Sequence, residues 1–318
     1  MHHFDPAALD CLAALVDEGS FERAAQRLSI TQSAVSQRLR ALEQEVGQLL
    51  VVRARPLRLT EPGKVLLRFA RQWQALRADV ARELEEGARP DERLPIAVNA
   101  DSLATWVLPA LDPLVQQGVS LEMVVDDQDF THDWLRQGAV LGCVSTVRQA
   151  LRGCRVVPLG VMRYIAVASP GFVARELGGG LTGANFAQVP FLVFNRKDDM
   201  QAQWVSHAFG VRSPRLRERF VPSSEAYVRA VLMGWGVGVV PELQVREQLA
   251  DGSLLPLHPQ VQVEVTLHWH QWKLGSEQRP AVRAALLDRI GQALLDGAAA
   301  ALAPPAAQSL GIGDDVTP

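Results

Sequence analysis

Three helical patterns of apolar positions fill the first 46 residues. Each pattern recurs at spacings of three and four, which places its members on one face of a helix. Gly19 is a normal stop for the first helix, and Ser20 and Thr31 suit the N-caps of the second and third. The patterns predict three short helices around one small core. Their members are Leu9, Leu12, Ala13 and Val16; Phe21, Ala24, Ala25 and Leu28; and Val35, Leu39, Leu42 and Val46.

The third helix has a small and polar outward face. It follows the second helix after a tight turn at Ser29 and Ile30. Small hydroxyls let a helix approach the floor of the major groove, and Gln and Arg can pair with adenine and guanine edges. The pattern predicts a DNA-binding helix-turn-helix, although such packing also occurs in proteins that never contact DNA. Its outward residues are Gln32, Ser33, Ser36, Gln37 and Arg40, of which the first four are expected to recognise bases.

A two-stranded wing is predicted directly after these helices. Residues 49–52 and 58–60 are short extended pieces around Arg53 and Arg55, whose charge favours contact with phosphate. Residues 20–71 hold ten Lys and Arg against four acids, a net charge of +6, whereas the whole chain carries −3. The remainder therefore carries −9, and the basic charge lies where phosphate would bind. A solvated arginine-rich face is the alternative.

One long helix follows, with Thr60 as its cap and Pro62 in the first turn. Its apolar positions alternate at spacings of three and four, which is typical of a coiled-coil seam. A helix between two domains can bury such a seam against a partner, so we expect a dimer contact; packing on its own chain is the alternative. The predicted seam consists of Leu66, Phe69, Trp73, Leu76 and Val80. Residues 87–91 are predicted to form a hinge.

From residue 94 onward, apolar strands alternate with amphipathic helices, which indicates a mostly parallel sheet flanked by helices. So many units favour two small α/β lobes, with the chain crossing near Val161 and returning near Val261. Ligands of such sheets bind beyond the carboxyl ends of the strands, so we expect a pocket in the cleft between the lobes. Strands are predicted at 95–99, 120–126, 138–145, 164–169, 191–195, 236–240 and 263–272, and helices at 102–117 and 280–296.

Polar residues mark several strand ends. Residues 99–105 and Ser223–Glu225 run from a strand into a helix, where free amides and hydroxyls bind carboxylates well. Simple N-capping explains the same residues equally well. Acidic pairs at Asp126–Asp127 and Asp198–Asp199 suit a cationic group, with solvated loop carboxylates as the alternative.

Composition and motifs exclude several other classes of protein. The 318 residues are 48% hydrophobic and 21% charged, and they show neither a secretory signal nor an apolar run long enough to span a membrane, so a cytoplasmic protein is expected. Cys143 and Cys154 are expected to be reduced core thiols, with a redox pair as the alternative. His268 and His270 share a strand face, yet nothing nearby completes a metal site. We find no catalytic motif and expect neither enzymatic activity, a metal nor a cofactor.

Residues 24–28, 31–39 and 42–43 together resemble the signature of LysR-type transcriptional regulators. Within that family the chain is similar to the arginine- and lysine-responsive ArgP/LysG branch, through residues 19–26, 97–106 and 223–227. The resemblance covers residues 7 to about 298 and omits the Ala/Pro-rich tail.

This resemblance implies a winged helix-turn-helix, a linker helix that pairs subunits, and a two-lobed effector-binding domain like the periplasmic binding proteins. It implies double-stranded promoter DNA, L-lysine or L-arginine, and RNA polymerase if the protein is an activator, as partners of a homodimer or homotetramer. The target gene would encode a basic amino-acid exporter. A LysR-type regulator with a different small effector, or a solute-binding protein without a DNA target, is the alternative.

The family resemblance, taken with the charges above, completes the predicted site. Residues expected to contact DNA are Thr31, Gln32, Ser33, Ser36, Gln37, Arg38, Arg40, Arg53 and Arg55. Residues expected to bind the effector are Asp101, Ser102, Thr105, Asp127, Ser145, Asp198, Asp199 and Glu225. The predicted domains are a DNA-binding domain at 1–60, a linker helix at 61–89, an effector-binding domain at 90–302 (lobe I about 90–161 and 265–302, lobe II about 162–264) and a disordered tail at 303–318.

Overall fold

The computed structural model describes residues 4–52, 54, 57–84, 93–126, 131–273 and 282–302. The predictions for Arg53, Arg55, Asp127, the hinge at 87–91 and the tail at 303–318 lie outside these residues. Within the described ranges, no helix combines the length and apolar character needed to cross a bilayer.

The first three helices form as predicted. They are α1 (Pro6–Glu18), α2 (Phe21–Arg27) and α3 (Gln32–Val46). Gly19 ends α1 in the left-handed conformation (φ 65°), and the Ser20 hydroxyl accepts a hydrogen bond from the Arg23 amide at the start of α2. The predicted apolar stripes pack into one core, in which Leu12, Val35 and Leu39 are almost fully buried.

The wing consists of β1 (Val51–Val52) and β2 (Arg58–Leu59), which pair antiparallel. It leads into α4 (Glu61–Leu84), and the Thr60 hydroxyl accepts a hydrogen bond from the Gly63 amide at 3.1 Å, as expected of an N-cap. A Cβ atom at Gly63 would clash with the carbonyl oxygen of Leu50. Glycine is therefore required where α4 crosses the end of the wing.

The predicted seam of α4 is only partly open. Leu66 is 6% exposed and belongs to the core of its own chain, so it is not available to a partner. Phe69, Trp73 and Leu76 are exposed, as is Val65, which the seam prediction omitted. The side chain of Val80 lies outside the described side chains. The open apolar stripe of α4 is therefore Val65, Phe69, Trp73 and Leu76. It starts at Val65, one residue before Leu66, where the predicted seam starts.

The C-terminal part alternates strands and helices. Its first half contains β3 (Leu94–Asn99), α5 (Ala100–Ser102), a π-helical turn (Leu103–Val107), α6 (Leu108–Gln116), β4 (Leu121–Asp126), α7 (Thr131–Arg136), β5 (Gly142–Ser145), β6 (Cys154–Ala168) and α8 (Pro170–Glu176). Its second half contains β7 (Pro190–Val193), α9 (Met200–Phe209), β8 (Arg217–Phe220), α10 (Ser224–Leu232), β9 (Gly238–Pro241), a 3₁₀ turn (Glu242–Val245), α11 (Arg246–Ala250), β10 (Leu255–Trp272) and α12 (Val282–Ala301).

The chain divides into two compact units. The first contains residues 1–99, 111–156 and 269–293, and the second contains residues 100–110, 157–268 and 294–318. In the first unit β3 pairs in parallel with β4 and β5, with Asn99 opposite Asp126 at the strand ends. In the second unit β6 pairs antiparallel with β9, and β7 pairs in parallel with β8. The domain boundaries given above stay a prediction.

Several elements differ from the predicted ones. The single helix expected at 102–117 begins at Ala100 and is interrupted by the π turn, so Ser102 lies inside the first turn rather than at its cap. Strands β6 and β10 begin about ten residues earlier than predicted, because Pro158 and Pro259 interrupt their alternation of apolar and polar residues. The prediction also missed the exposed strand β8 and several short helices among the described residues. The missed helices are α7, α8, α9 and α11.

Candidate DNA-binding helix and ligand site

The start of α3 is held by local hydrogen bonds. Ser29 takes the left-handed conformation (φ 54°), and the Ile30 amide donates to the carbonyl of Ala25 at 3.0 Å, which closes the turn after α2. The Thr31 hydroxyl accepts from the Ala34 amide at 3.2 Å and lies 2.9 Å from the Ser33 hydroxyl. These contacts fix the direction in which the first turn of α3 faces solvent.

The predicted DNA-binding residues do not all face the same way. Gln32, Ser33, Gln37 and Arg40 are exposed, and Ser36 is half-buried between them. Arg38 is half-buried and its Nη1 lies 3.9 Å from the sulfur of Cys11, on the side of the core. Five of the residues therefore form an outward polar stripe, whereas Arg38 is oriented toward the body of the domain.

Asp101 is the centre of a polar cluster in the second unit. Its Oδ1 accepts a hydrogen bond from the Ser224 hydroxyl at 2.6 Å, and its Oδ2 accepts one from the Tyr164 hydroxyl at 2.8 Å. Burial raises the pKa of Asp101, the two hydrogen bonds act in the opposite direction, and the carboxylate of Asp198 raises it further. The cluster thus holds a carboxylate whose charge is only partly compensated, which favours a cationic ligand group.

Asp198 lies next to this cluster but has a structural role as well. Its Oδ1 accepts from the Met200 amide at 3.0 Å, and its Oδ2 accepts from the Phe194 amide at 2.9 Å and from the Gln201 side chain at 3.0 Å. Gln201 also donates to the hydroxyl of Tyr227, which in turn donates to the carbonyl of Leu192. Asp198 therefore fixes the turn into α9, and little of its hydrogen-bonding capacity is left for a ligand.

The segment directly after Asp101 contains two further residues that were predicted to bind the effector. Ser102 is fully buried, and within the described residues its hydroxyl has no hydrogen-bond partner. Thr105 lies in the π turn and donates to the Asp101 carbonyl at 2.6 Å. Single π turns inside α-helices are frequent at functional sites. Ser102 thus stays a candidate ligand contact, and Thr105 shapes the backbone that carries Asp101.

The other predicted effector residues are not part of the cluster around Asp101. Ser145 belongs to the first unit, where its buried hydroxyl accepts from the Val147 amide at 3.2 Å. Asp199 and Glu225 are exposed, and Asp199 accepts a hydrogen bond from Gln203 at 2.7 Å. The exposure of Asp199 is what the alternative of a solvated carboxylate describes, and at the Ser223–Glu225 segment the Ser223 hydroxyl accepts from the Ala226 amide, as the N-capping alternative describes.

Sequence patterns marked the segment that holds Ser224 but missed Tyr164, which donates to Asp101, and also Gln201 and Tyr227, which are hydrogen-bonded beside Asp198. The chain contains only two tyrosines, and one lies in each of these two hydrogen-bonded groups. A buried tyrosine needs a partner for its hydroxyl, so two isolated tyrosines in apolar strand and helix segments were an available signal. Burial raises the pKa of Tyr227, which therefore acts as a neutral hydrogen-bonding group.

The thiol and imidazole groups have ordinary structural surroundings. Cys143 and Cys154 are buried and free, and burial raises the pKa of both thiols, that of Cys154 to about 12. His270 Nε2 lies 2.7 Å from the carbonyl oxygen of Val147, and its ring packs edge-on against that of His132 at 5.0 Å. Across the described ranges, no three His, Cys, Asp or Glu side chains are grouped as metal ligands would be.

Two family models match the chain. Residues 6–64 match the bacterial regulatory helix-turn-helix protein of the lysR family, and residues 87–293 match the LysR substrate binding domain. The chain belongs to the LysR family. The predicted fold class, a winged helix-turn-helix with a linker helix followed by a two-lobed α/β domain, is confirmed for this LysR-family chain.

Relatives of this LysR-family chain are transcriptional regulators. The regulator ArgP of Aeromonas salmonicida is 43% identical over 303 residues, 93% of this chain and all of that protein. The crystal structure of ArgP from Mycobacterium tuberculosis matches with a TM-score of 0.81 and 40% identity, over 95% of this chain and all of that one. Full-length LysG from Corynebacterium glutamicum with bound effector Arg matches with a TM-score of 0.71 and 35% identity, over 94% and 100%. The chain is a DNA-binding regulator rather than an enzyme.

Proposed function

We propose that this regulator binds promoter DNA through α3 and responds to L-lysine or L-arginine bound beside Asp101. The observation that carries the ligand part is the Asp101 carboxylate, enclosed by Ser224 and Tyr164 and close to a second acid. A basic amino acid brings a cationic group that offsets this buried negative charge. The Corynebacterium glutamicum LysG structure, which contains bound effector Arg, supports this class of effector.

We propose a smaller set of groups to hold the ligand. Asp101 faces the cationic end, and the buried hydroxyl of Ser102 is available to a carboxylate. Thr105 and Asp198 position this site through hydrogen bonds to backbone groups. Ser145, Asp127, Asp199 and Glu225 have no role in the narrowed proposal.

The DNA part rests on the outward stripe of α3. Gln32, Ser33, Ser36 and Gln37 lie on the N-terminal half of the helix, where side chains reach base edges when such a helix enters the major groove. Arg40 is placed to contact phosphate, with Arg53 and Arg55 of the wing as further candidates. We propose a target gene for a basic amino-acid exporter, a cytoplasmic location, and a homodimer or homotetramer that contacts RNA polymerase where it activates.

The proposal is tested by fluorescence anisotropy of the full-length protein on DNA upstream of its own gene, with and without each amino acid. Gln32→Ala and Ser36→Ala should each reduce discrimination between operator and random DNA, by roughly 1 to 3 kcal/mol where the side chain forms a bidentate pair with a base. Gln44→Ala is the matched control, because this exposed glutamine lies on the same helix about 18 Å beyond Gln32.

Equal losses of affinity on operator and random DNA would remove the base-recognition role of Gln32 and Ser36. Specific binding that neither amino acid changes would retain the regulator and point to a different small effector. Amino-acid binding without any specific DNA binding would favour the solute-binding alternative.

A further inference from the structure

Gly138 ends α7 in a tight turn whose open side faces another helix. Its amide donates to the carbonyl of Leu135 at 3.0 Å, its φ is 70°, and the next amide, that of Ala139, donates to the carbonyl of Trp134 at 3.0 Å. A Cβ atom at Gly138 would lie 3.0 Å from the Cα of Arg68 and 3.4 Å from the Cγ of Arg71. The turn therefore lies directly on α4.

A second glycine in the same unit shows which properties of Gly138 come from its backbone conformation and which come from its contact with α4. Gly118 follows α6 with φ 87°, its amide donates to Val115 at 2.9 Å, and the Val119 amide donates to Leu114 at 3.1 Å. The two turns thus share one hydrogen-bond pattern and the same need for glycine. A Cβ atom at Gly118 would meet nothing within 4 Å. Of these two turns, only the one at Gly138 has a helix directly beside the position where a Cβ atom would lie.

Arg68 extends the contact beyond the glycine. Its guanidinium lies over the ring of Trp272, 5.9 Å from the centroid, and its charge opposes the rise in the pKa of the Cys154 thiol that burial causes. Trp272 ends β10 and Cys154 begins β6. Two separate segments of the C-terminal part, the Gly138 turn and the end of β10, therefore contact α4 at Arg68, and its charge also acts on the start of β6.

Arg71 connects the same contact to the DNA-binding helices. Its stem lies beside Gly138, and both of its terminal nitrogens donate to the carboxylate of Asp17 at the end of α1. Asp17 also accepts a hydrogen bond from Arg27 at 2.7 Å, which ties α2 to the same point. The Arg71 side chain thus touches the C-terminal part and α1, and Asp17 ties α1 to α2 through Arg27.

We propose that the Gly138 contact, Gly138 against Arg68 and Arg71, is the point at which the effector-binding part sets the position of the linker helix and of the DNA-binding helices. This inference rests on the proposed function, because it names a route by which a ligand-dependent change reaches DNA. When the contact is closed, the Arg71 stem is confined and its ion pair with Asp17 is held in one geometry. When Gly138 moves away from α4, the Arg71 side chain becomes more mobile, and α4 can shift relative to α1.

The test compares hydrogen exchange of the amides of residues 64–72 in the full-length protein. Gly138→Ala should raise their exchange rates by about threefold or more, since local opening of a helix is governed by the contacts that cover it. Gly118→Ala introduces the same left-handed strain and should leave these rates at the wild-type value. Thermal unfolding of Gly118→Ala measures the left-handed strain alone, and Gly138→Ala should be at least as destabilised because its Cβ atom also meets the Cα of Arg68.

A second pair of variants tests the contact from the other side, should Gly138→Ala fail to fold. Arg71→Gln and Arg77→Gln each remove an ion pair between α4 and α1, since Arg77 pairs with Asp10 at 2.9 Å. Of the two, Arg71 alone also touches Gly138. Only Arg71→Gln should therefore change the operator affinity measured without amino acid, by about fivefold or more, which is the low end of allosteric couplings.

Equal exchange in the two glycine variants, or equal operator affinity in the two arginine variants, would overturn the proposed role of the contact. If the variants differ as expected while neither amino acid alters operator binding by the wild type, the contact stands and the proposed effector fails. If the amino acids act on the wild type and the variants show no difference, the proposed function stands and this inference is discarded.

Discussion

Single residues that act on their immediate neighbours were predictable from sequence. Ser20, Thr31 and Thr60 each accept a hydrogen bond from an amide three residues ahead, because the cap and its donor are separated by a fixed length of chain. Asp198 shows the opposite case. The sequence predicts a ligand contact, which stays a prediction, and the structure adds that its oxygens accept three hydrogen bonds, from the Phe194 and Met200 amides and the Gln201 side chain at the start of α9. Acidic residues at strand ends serve both purposes, and only the surrounding atoms distinguish them.

Asp101 gives a prediction about pH and stability. Burial raises its pKa in the folded chain above the unfolded value, so ionising it costs folding free energy. This cost is absent below the unfolded pKa of about 3.9 and complete above the folded pKa. Asp101→Asn removes the charge, so it should stabilise the free protein relative to wild type at pH 7, and this gain should disappear as the pH falls toward 4. Urea denaturation at both pH values measures it.

The same substitution should weaken binding of the basic amino acid by about tenfold or more, because a hydrogen bond to a charged group contributes roughly 1.5–3 kcal/mol. Asp199→Asn is the control, since Asp199 is exposed and accepts from Gln203. Unchanged affinity in Asp101→Asn, measured by calorimetry, would remove Asp101 from the ligand site.

Among the elements, helix α4 has three faces with different tasks. Gly63, Leu66, Leu67 and Ala70 face the core of the DNA-binding domain. Arg68 and Arg71 contact residues of the C-terminal part, and the open stripe of Val65, Phe69, Trp73 and Leu76 faces solvent. Apolar spacing identified an amphipathic helix but assigned residues of the core face and of the open stripe to one seam. Residues three and four positions apart both lie close together on a helix, so spacing alone does not separate two neighbouring faces.

The open stripe should form the subunit contact. Phe69→Glu and Leu76→Glu each place a charge where a partner helix would pack, and both positions are more than 40% exposed in the single chain. Because burying such a side chain is worth roughly 1.5–3 kcal/mol, each change should raise the dimer dissociation constant by about tenfold or more. Sedimentation velocity over a concentration series gives the constant.

Leu255→Glu is the control for this measurement. Leu255 is also exposed, at 37%, but lies at the start of β10 and outside the stripe. A dimer that weakens equally in all three variants, or in none, would place the subunit contact elsewhere.

Across the molecule as a whole, charge is segregated along the chain. Residues 20–71 carry +6 while the remaining residues carry −9, so this segment favours polyanions despite the overall negative charge of the chain. Net charge alone, with an isoelectric point near 6.2, would not have indicated a nucleic-acid partner. The distribution does so because electrostatic attraction is screened beyond roughly 8–10 Å at physiological salt.

Salt titration should reveal this segregation. A dimer that neutralises phosphates with both basic regions should show operator binding whose logarithm falls with the logarithm of salt at a slope of about −5 or steeper. Arg40→Gln should reduce the slope by about one for each subunit and weaken binding to all sequences alike. Arg229→Gln, an exposed arginine of α10, should leave the slope unchanged. A flat salt response would contradict the proposed phosphate contacts.

Elements with a local signal were predictable without the structure: the helix-turn-helix with its caps, the wing, the start of α4, and the strands with unbroken apolar runs such as β3 and β4. These rest on hydrogen bonds and periodicities that span a few residues, so no distant part of the chain is needed to specify them. Strands β6 and β10 and the short helices α7, α8, α9 and α11 carry weaker patterns and were shortened or missed.

The grouping of polar residues, in contrast, required the folded chain. Asp101 meets Ser224 across 123 positions of chain, and Arg71 meets Asp17 across 54. Folding also places Leu66 in the core, assigns Asp198 to a turn, and sets Gly138 against α4 while Gly118 faces open space. The physical reason is that such contacts depend on how separate elements pack, which spacing along the chain does not encode.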